Sequence, residues 1–318
     1  MRLSAWLAAL AVCFGASQAE AAGLQLVDIP ANAEGPAIKG AIWYPCAEAA
    51  TPISFGKITI QGAMACRISG ANLPLIVISH GRGGSFLGHH DTAEQLADAG
   101  YVVAALNHPG DTSSDMSRSR DLAAFVERPA AVKRLIDFML STAPVAQAID
   151  PKRIGFFGFS RGGYTGLVLI GANPDWALAT RLCQQLNEPV CEQVRAKQHP
   201  ETLAHDPRIK AAVIADPFAM FFAAESIAPI AIPVQLWASE RGGDGVAPES
   251  VAAIDKNLRS AHDYHVVAKS GHFAFLAPCP AVLVAELPML CRDAADFDRA
   301  AFHQKLNDDV LSFFRKHL

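Results

Sequence analysis

The feature that most constrains this chain is the segment 158–162, with the sequence Gly-Phe-Ser-Arg-Gly, directly after the apolar run 153–157. An apolar run that stops at Gly-x-Ser-x-Gly predicts a strand, a sharp turn and then a helix. Such a turn presents the Ser160 hydroxyl to a substrate and a base, and aims the backbone N–H of Arg161 at a developing oxyanion. The segment therefore predicts a nucleophile together with the fold that carries it.

From residue 73 onward the chain alternates between short apolar runs and amphipathic segments, which predicts a mainly parallel sheet covered by helices on both faces. The stretch 24–72 is expected to add antiparallel edge strands. Strands are predicted at 75–79, 101–106, 153–157, 211–215, 233–237 and 264–267, and helices at 92–99, 121–140, 164–172 and 296–318.

The stretch 173–208 separates the helix after Ser160 from the next predicted strand, and it is too long for an ordinary connection. A helical excursion or cap over the site is one interpretation, and an insertion without a role at the site is the other. We expect residues 22–318 to form one catalytic domain that includes this insertion, since one large α/β core of this length is common.

Residues 1–21 have the features of a secretory signal peptide: a basic start, an apolar stretch at 3–15 and small residues around Ala19. The apolar stretch is shorter than the roughly 20 residues that a membrane span needs. Cys13 raises the alternative of a lipoprotein anchor, but the preceding Val12 does not favour it. The expected location is periplasmic or secreted.

Cys13 lies in the predicted signal peptide, which leaves six of the seven cysteines. An even number in an exported chain favours disulfides. The cysteines fall into three local pairs, and we expect Cys46–Cys66, Cys183–Cys191 and Cys279–Cys291. No CxxC-type spacing is present, and adjacent residues such as those at 89–91 (His-His-Asp) rarely face one ion, so no metal is expected.

The formal net charge of −4 gives no indication of a nucleic-acid partner. A hydrophobic fraction of 51% against a charged fraction of 18% predicts a substantial buried core. No segment after residue 21 has the pattern of a transmembrane helix, and the sequence leaves the oligomeric state open.

A serine nucleophile requires a base, and in this architecture the chain order is serine, acid, histidine. His272 follows the last predicted strand within Ser270-Gly271-His272-Phe273, so it is the candidate base. The second oxyanion donor should come from the Gly-rich loop 80–84, where the backbone N–H of Arg82 is the candidate.

Two carboxylates could orient His272, since an acid can reach the imidazole from either of two neighbouring strand ends. Asp244, after the strand that ends near Trp237, is the preferred candidate. Asp216, at the end of the preceding strand, is the alternative, and Glu240 ranks third. Whichever carboxylate does not contact His272 is expected to have a structural role and to stabilise a turn.

Several separated motifs carry a family resemblance: Ile-Ser-His-Gly-Arg-Gly-Gly at 78–84, Gly-Tyr-Val-Val-Ala-Ala-Leu-Asn-His at 100–108, the segment 158–164, and Gly-His-Phe-Ala-Phe-Leu at 271–276. Together they resemble the α/β-hydrolases grouped as platelet-activating-factor acetylhydrolase-like and predicted dienelactone hydrolases. The resemblance implies an α/β-hydrolase fold and cofactor-free ester hydrolysis by a Ser–His–Asp triad. Dienelactone hydrolases proper use a cysteine nucleophile, whereas the residue here is Ser160.

These expectations describe an exported serine esterase that acts on a small-molecule or lipid-like ester. A lipase, polyester hydrolase or phospholipid deacylase on the same fold is the alternative, and a non-catalytic binding protein on a hydrolase scaffold is a further one. Apolar residues near the site would line an acyl pocket or belong to the core, and the core is preferred for most of Phe86, Leu87, Phe218, Phe221 and Phe222.

Overall fold

A single ten-stranded sheet organises the chain in the computed structural model, which describes residues 22–185 and 187–318. The predicted signal peptide at 1–21 lies outside the described residues. The strands are β1 (Ala22–Ile29), β2 (Ile38–Pro45), β3 (Thr51–Phe55), β4 (Ile58–Met64), β5 (Leu73–Ser79), β6 (Val102–Asn107), β7 (Ile149–Phe159), β8 (Ile209–Ala215), β9 (Val234–Ser239) and β10 (His262–Val267).

Helices cover the sheet on both faces, because the central strands are apolar on both sides and form two separate hydrophobic cores. Leu135 and Val251 belong to one core, and Leu96 and Phe314 to the other. The helices are α1 (His90–Asp98), α2 (Ala123–Ser141), α3 (Arg161–Leu169), α4 (Trp176–Leu182), α5 (Pro189–Arg195), α6 (Ala224–Ile227), α7 (Pro248–Asn257), α8 (Ala281–Glu286), α9 (Pro288–Cys291) and α10 (Arg299–His317).

The strand order is β10-β9-β8-β7-β5-β6-β2-β1-β4-β3. All neighbours from β10 to β6 are parallel, which confirms the predicted parallel core. The expectation of edge strands at 24–72 holds only in part, since β2 pairs with both β1 and β6 and buries Trp43 and Tyr44 inside the sheet. Of the four strands in this stretch, only β3 forms an edge of the sheet.

Parallel pairing brings the carboxyl ends of four strands to one edge of the sheet. Phe159 of β7 pairs with Ala215 of β8, which in turn pairs with Trp237 of β9. Val267 of β10 pairs with Ser239 at the end of β9. The loops after these strands therefore meet, and they contain the predicted nucleophile, acid and base.

The insertion at 173–208 contains α4, a short 3-10 helix and α5. The Cys183–Cys191 disulfide links the residue after α4 to the first turn of α5, and Cys46–Cys66 and Cys279–Cys291 are also bonded. The three predicted pairings are therefore confirmed, and they indicate an oxidising compartment. Within 22–185 and 187–318, no helix combines the length and apolarity that a membrane span requires.

Candidate active site

Ser160 occupies the sharp turn between β7 and α3, with a φ of +57° and a ψ of −118°. This conformation is costly for a residue with a side chain and is stabilised by its surroundings. The N–H of Ser160 donates to the carbonyl of Ala215 at 3.0 Å, and its carbonyl accepts from the N–H of Phe218 at 3.0 Å. Only glycine fits at Gly162, because a Cβ there would lie 1.9 Å from the carbonyl oxygen of Ser79.

His272 lies between the Ser160 hydroxyl and a buried carboxylate. Its Nε2 is 2.9 Å from the Oγ of Ser160, and its Nδ1 is 2.6 Å from an Oδ of Asp216. The ring stacks on Phe159 with centroids 4.6 Å apart, and its backbone N–H donates to the carbonyl of Gly242. Ser160, His272 and Asp216 are all buried, so bulk water does not compete for these bonds.

Asp216 follows β8 directly and has a φ of +42°. One carboxylate oxygen accepts the N–H of Ser239 at 2.8 Å, and the other accepts the Ser239 hydroxyl at 2.8 Å as well as the contact from His272. An ionised carboxylate can only accept, so the proton of His272 resides on Nδ1 and the Nε2 lone pair faces the Ser160 hydroxyl. This is the tautomer that removes a proton from serine.

Asp244, the acid preferred from the sequence, does not contact His272. It is exposed at the tip of a two-residue turn in which Gly243 and Val246 exchange backbone hydrogen bonds at 3.0 and 2.9 Å. Asp244 and Gly245 both have positive φ, which is the type I′ geometry that Asp-Gly favours. The alternative, Asp216, occupies the position beside the imidazole. Glu240 instead accepts the backbone N–H of Lys269.

The two predicted oxyanion donors, the N–H groups of Arg161 and Arg82, have no hydrogen-bond acceptor among the described residues. Arg161 is the first residue of α3, where the helix dipole favours a negative charge. The loop that carries Arg82 approaches the nucleophile closely, since a Cβ on Gly81 would lie 3.1 Å from the Cβ of Ser160. Both N–H groups are therefore unpaired in the described part of the chain, and both belong to segments that lie next to Ser160.

A buried ionic network stabilises the Gly-rich loop. Asp111 accepts from Arg128 at 2.6 Å, from Arg161 at 2.9 Å and from the N–H of Gly83 at 3.1 Å. Arg128 also donates to the carbonyl of His80. Burial, followed by the charge of Arg161, lowers the pKa of Arg128 to about 9, and Asp111 opposes that shift.

Two histidines beside this network are neutral. Burial and then the charge of Arg128 lower the pKa of His80 to about 3, and the same causes lower that of His108. His80 accepts the N–H of His108 at Nε2 and so donates from Nδ1 to the carbonyl of Gly81. It is a structural residue of the loop, because both ring nitrogens are in use.

A cavity of about 330 Å³ adjoins the site. It lies between the nucleophile turn, the Gly-rich loop and the insertion at 173–208, which contributes Cys183, Val190 and Cys191. Phe218 and Phe221 line it, whereas Phe86 packs against Trp43 and Phe222 stacks on Tyr164 within the fold. Sequence reasoning did not find the residues Asp111, Arg128 and Ser239, because only tertiary contacts bring them to the site.

No side-chain cluster able to hold a metal ion occurs in the described ranges. No protein-family model matches the chain, and no curated protein matches it in sequence. Solved structures of similar fold are numerous, with 1030 matching chains, so the fold by itself selects no activity. One is a ferulic acid esterase from Streptomyces cinnamoneus, with a TM-score of 0.64 and 19% identity over 96% of this chain and 92% of that chain. This similarity confirms the predicted α/β-hydrolase fold.

Proposed function

We propose that this chain is an exported serine hydrolase that cleaves carboxylic ester bonds. The observation that carries the proposal is the unbroken set of contacts from Ser160 through His272 to Asp216. The fold shared with a ferulic acid esterase supports ester hydrolysis, and the three disulfides support export.

In the proposed mechanism, Ser160 attacks the ester carbonyl while Nε2 of His272 takes its proton. The Asp216 carboxylate stabilises the imidazolium that forms and retains the required tautomer. The N–H groups of Arg161 and Arg82 donate to the tetrahedral oxyanion. His272 then protonates the leaving alcohol, and a water molecule activated by the same ring hydrolyses the acyl-enzyme.

Asp216 is the acid in this proposal, and the test uses matched substitutions. Asp216→Asn is expected to lower kcat by about three to four orders of magnitude, because the amide favours the wrong tautomer of His272. Asp244→Asn is the control, with the same change on the exposed turn, and it is expected to retain activity. Hydrolysis of para-nitrophenyl acetate and labelling by a fluorophosphonate are measured for both.

Ser160→Ala and His272→Ala are each expected to abolish hydrolysis, and peptide mass spectrometry is expected to place the label on Ser160. A folded parent protein that neither takes the label nor cleaves any ester would overturn the proposal in favour of a non-catalytic scaffold. Loss of activity in Asp244→Asn with full activity in Asp216→Asn would refute only the assignment of Asp216 as the acid, and the serine hydrolase proposal would stand.

A further inference from the structure

The cavity beside Ser160 has more positive than negative charge. Three arginines line it, Arg82, Arg120 and Arg161, but only one carboxylate, Glu188. Glu188 pairs with Arg120 at 2.8 Å, which neutralises both. Arg82 and Arg161 are therefore the cations whose charge this lining leaves unbalanced.

Arg161 lines the cavity and has unused donors, although its side chain is only 10% exposed. One terminal nitrogen, Nη1, donates to Asp111 and to the carbonyl of Ser119, while Nε and Nη2 have no hydrogen-bond partner among the described residues. The guanidinium also lies 4.6 Å above the ring of Phe125, which orients its plane. A buried guanidinium with unused donors at a cavity wall is the geometry that receives a carboxylate.

Asp111 does not neutralise this charge, because the same carboxylate also pairs with Arg128. Two buried cations thus share one buried anion. Arg82 adds to the imbalance: it is exposed at the cavity, and none of the described carboxylates lies within ion-pair distance of it. Burial lowers the pKa of Arg161, and among the charges around it Arg82 acts in the same direction.

One carboxylate of the chain does compete for this position. Asp244, on its exposed turn, is close enough to raise the pKa of Arg161. It forms no ion pair with either arginine, because the type I′ turn directs it to the solvent. The negative charge of Asp244 therefore weakens the binding of an anionic substrate but does not take the place of that substrate's carboxylate.

The remaining wall is apolar and aromatic. Phe125, Phe218 and Phe221 have ring centroids 5.3 to 5.4 Å apart, and Met220 and Val190 complete the surface. A volume of about 330 Å³ suits a ring or a short chain with one polar group, at the small end of ligand pockets. The cavity combines an apolar body site with a cationic end.

We propose that the cavity selects esters in which an aromatic or aliphatic segment next to the scissile bond carries a carboxylate, held by Arg82 and Arg161. This inference rests on the proposed function and names its substrate class. A neutral ester, of the kind that a lipase prefers, would offer no carboxylate to the Arg82 guanidinium or to the unused Nε and Nη2 of Arg161.

The test compares ester pairs that differ only in charge. One pair places the anion on the alcohol side, para-acetoxybenzoate against para-acetoxybenzamide, and the other on the acyl side, the monophenyl ester of adipic acid against that of adipamic acid. Each kcat/KM is divided by the rate of alkaline hydrolysis. A charged hydrogen bond contributes about 1.5–3 kcal/mol, so one of the two pairs is expected to show about a tenfold or greater preference for the anion. The preference should fall as salt is added.

For each variant, kcat/KM for the anionic ester is divided by kcat/KM for the neutral ester of the same pair. This ratio is used because Arg82 also contributes a backbone donor, and a change at that donor would affect both esters. Arg82→Gln is expected to lower this ratio about fivefold, and Arg82→Lys, which keeps the charge, to lower it less. Asp244→Asn should raise the ratio. Arg259→Gln, at an exposed arginine away from the cavity, is the control for lost net charge and should not change it.

Binding gives a readout without catalysis. Calorimetry with Ser160→Ala is expected to detect para-hydroxybenzoate and not para-hydroxybenzamide. Equal hydrolysis of both members of each ester pair, together with equal binding, would overturn the anion site while leaving the serine esterase intact. Binding of the benzoate by a parent that cleaves no ester would instead support the anion site and refute the proposed function.

Discussion

Replacing Asp111 with asparagine is expected to destabilise the fold by about 3–5 kcal/mol, because the change removes the one anion between two buried arginines. The Asp111 side chain is 1% exposed and lies 2.6 Å from Arg128 and 2.9 Å from Arg161. The asparagine has almost the same shape and keeps an oxygen that can accept the N–H of Gly83. The loss is therefore mainly electrostatic.

The magnitude follows from what remains after the substitution. Arg128 already has a pKa lowered to about 9, with burial as the main cause and Arg161 as a contributor, and Asp111 is the group that opposes this shift. Without that carboxylate, one guanidinium must lose its proton, move into solvent or remain unpaired. Unfolding entropy near 2.1 cal/mol/K per residue gives about 0.6 kcal/mol/K for a chain of this size, so Tm should fall by about 5–8 °C.

The assay is thermal and urea unfolding of Asp111→Asn beside Asp137→Asn. Asp137 forms an ion pair of the same kind at the surface, where its carboxylate lies 2.6 Å from Arg208 and its side chain is 49% exposed. Its substitution should lower the free energy of unfolding by at most about 1 kcal/mol. Asp111→Asn should also lower kcat, since Gly83 belongs to the loop that carries Arg82, whose N–H is a proposed oxyanion donor. Equal stability of the two variants would refute the argument that the buried carboxylate balances the arginines.

Two further predictions concern the stability of the fold at low pH and the disulfide of the insertion at 173–208. Burial lowers the pKa of His89 to about 4, so below pH 6.5 the unfolded state binds more protons and stability falls as pH falls, by up to about 1.4 kcal/mol per pH unit down to pH 4. His89→Phe should therefore lose less stability than the parent between pH 7 and pH 5 in urea titrations, and equal losses would contradict the assignment. Replacing both cysteines of Cys183–Cys191 with serine should raise KM for esters more than it lowers kcat, because this disulfide lines the cavity. The same change at Cys279–Cys291, which does not line it, should lower stability without that KM effect, and equal KM values in the two variants would refute it.

The parallel core was predictable because local patterns determine it. The apolar runs before Ser160 and Asp216 are short and continuous, as strands buried on both faces require. The amino-terminal stretch was less predictable, since the burial of Trp43 depends on pairing with β6, about 60 residues later in the chain. Helix α7 also escaped prediction, although Pro248 stands at its first turn, where proline is favoured.

The contact between Ser160 and His272, the proposed nucleophile and base, could be expected for the same reason, since each follows a strand within a distinctive glycine-containing segment. The charges around them were not. Asp111 contacts groups 17, 28 and 50 residues away in the chain, and no spacing in the sequence connects Arg128 with Arg161. Such networks arise from the packing of α2, α3 and two loops, so only a three-dimensional description can find them.

The choice between Asp216 and Asp244 shows where local chemistry decides a site. Both follow strands whose carboxyl ends meet, so strand order alone does not distinguish them. Asp244 precedes Gly245, and this dipeptide favours the type I′ turn that places a side chain at a solvent-exposed tip. Asp216 precedes Pro217 and has Ser239 at the neighbouring strand end, whose N–H and hydroxyl both reach its carboxylate. A buried acid requires donors of this kind before it can serve an imidazole, and the turn at Asp244 supplies none.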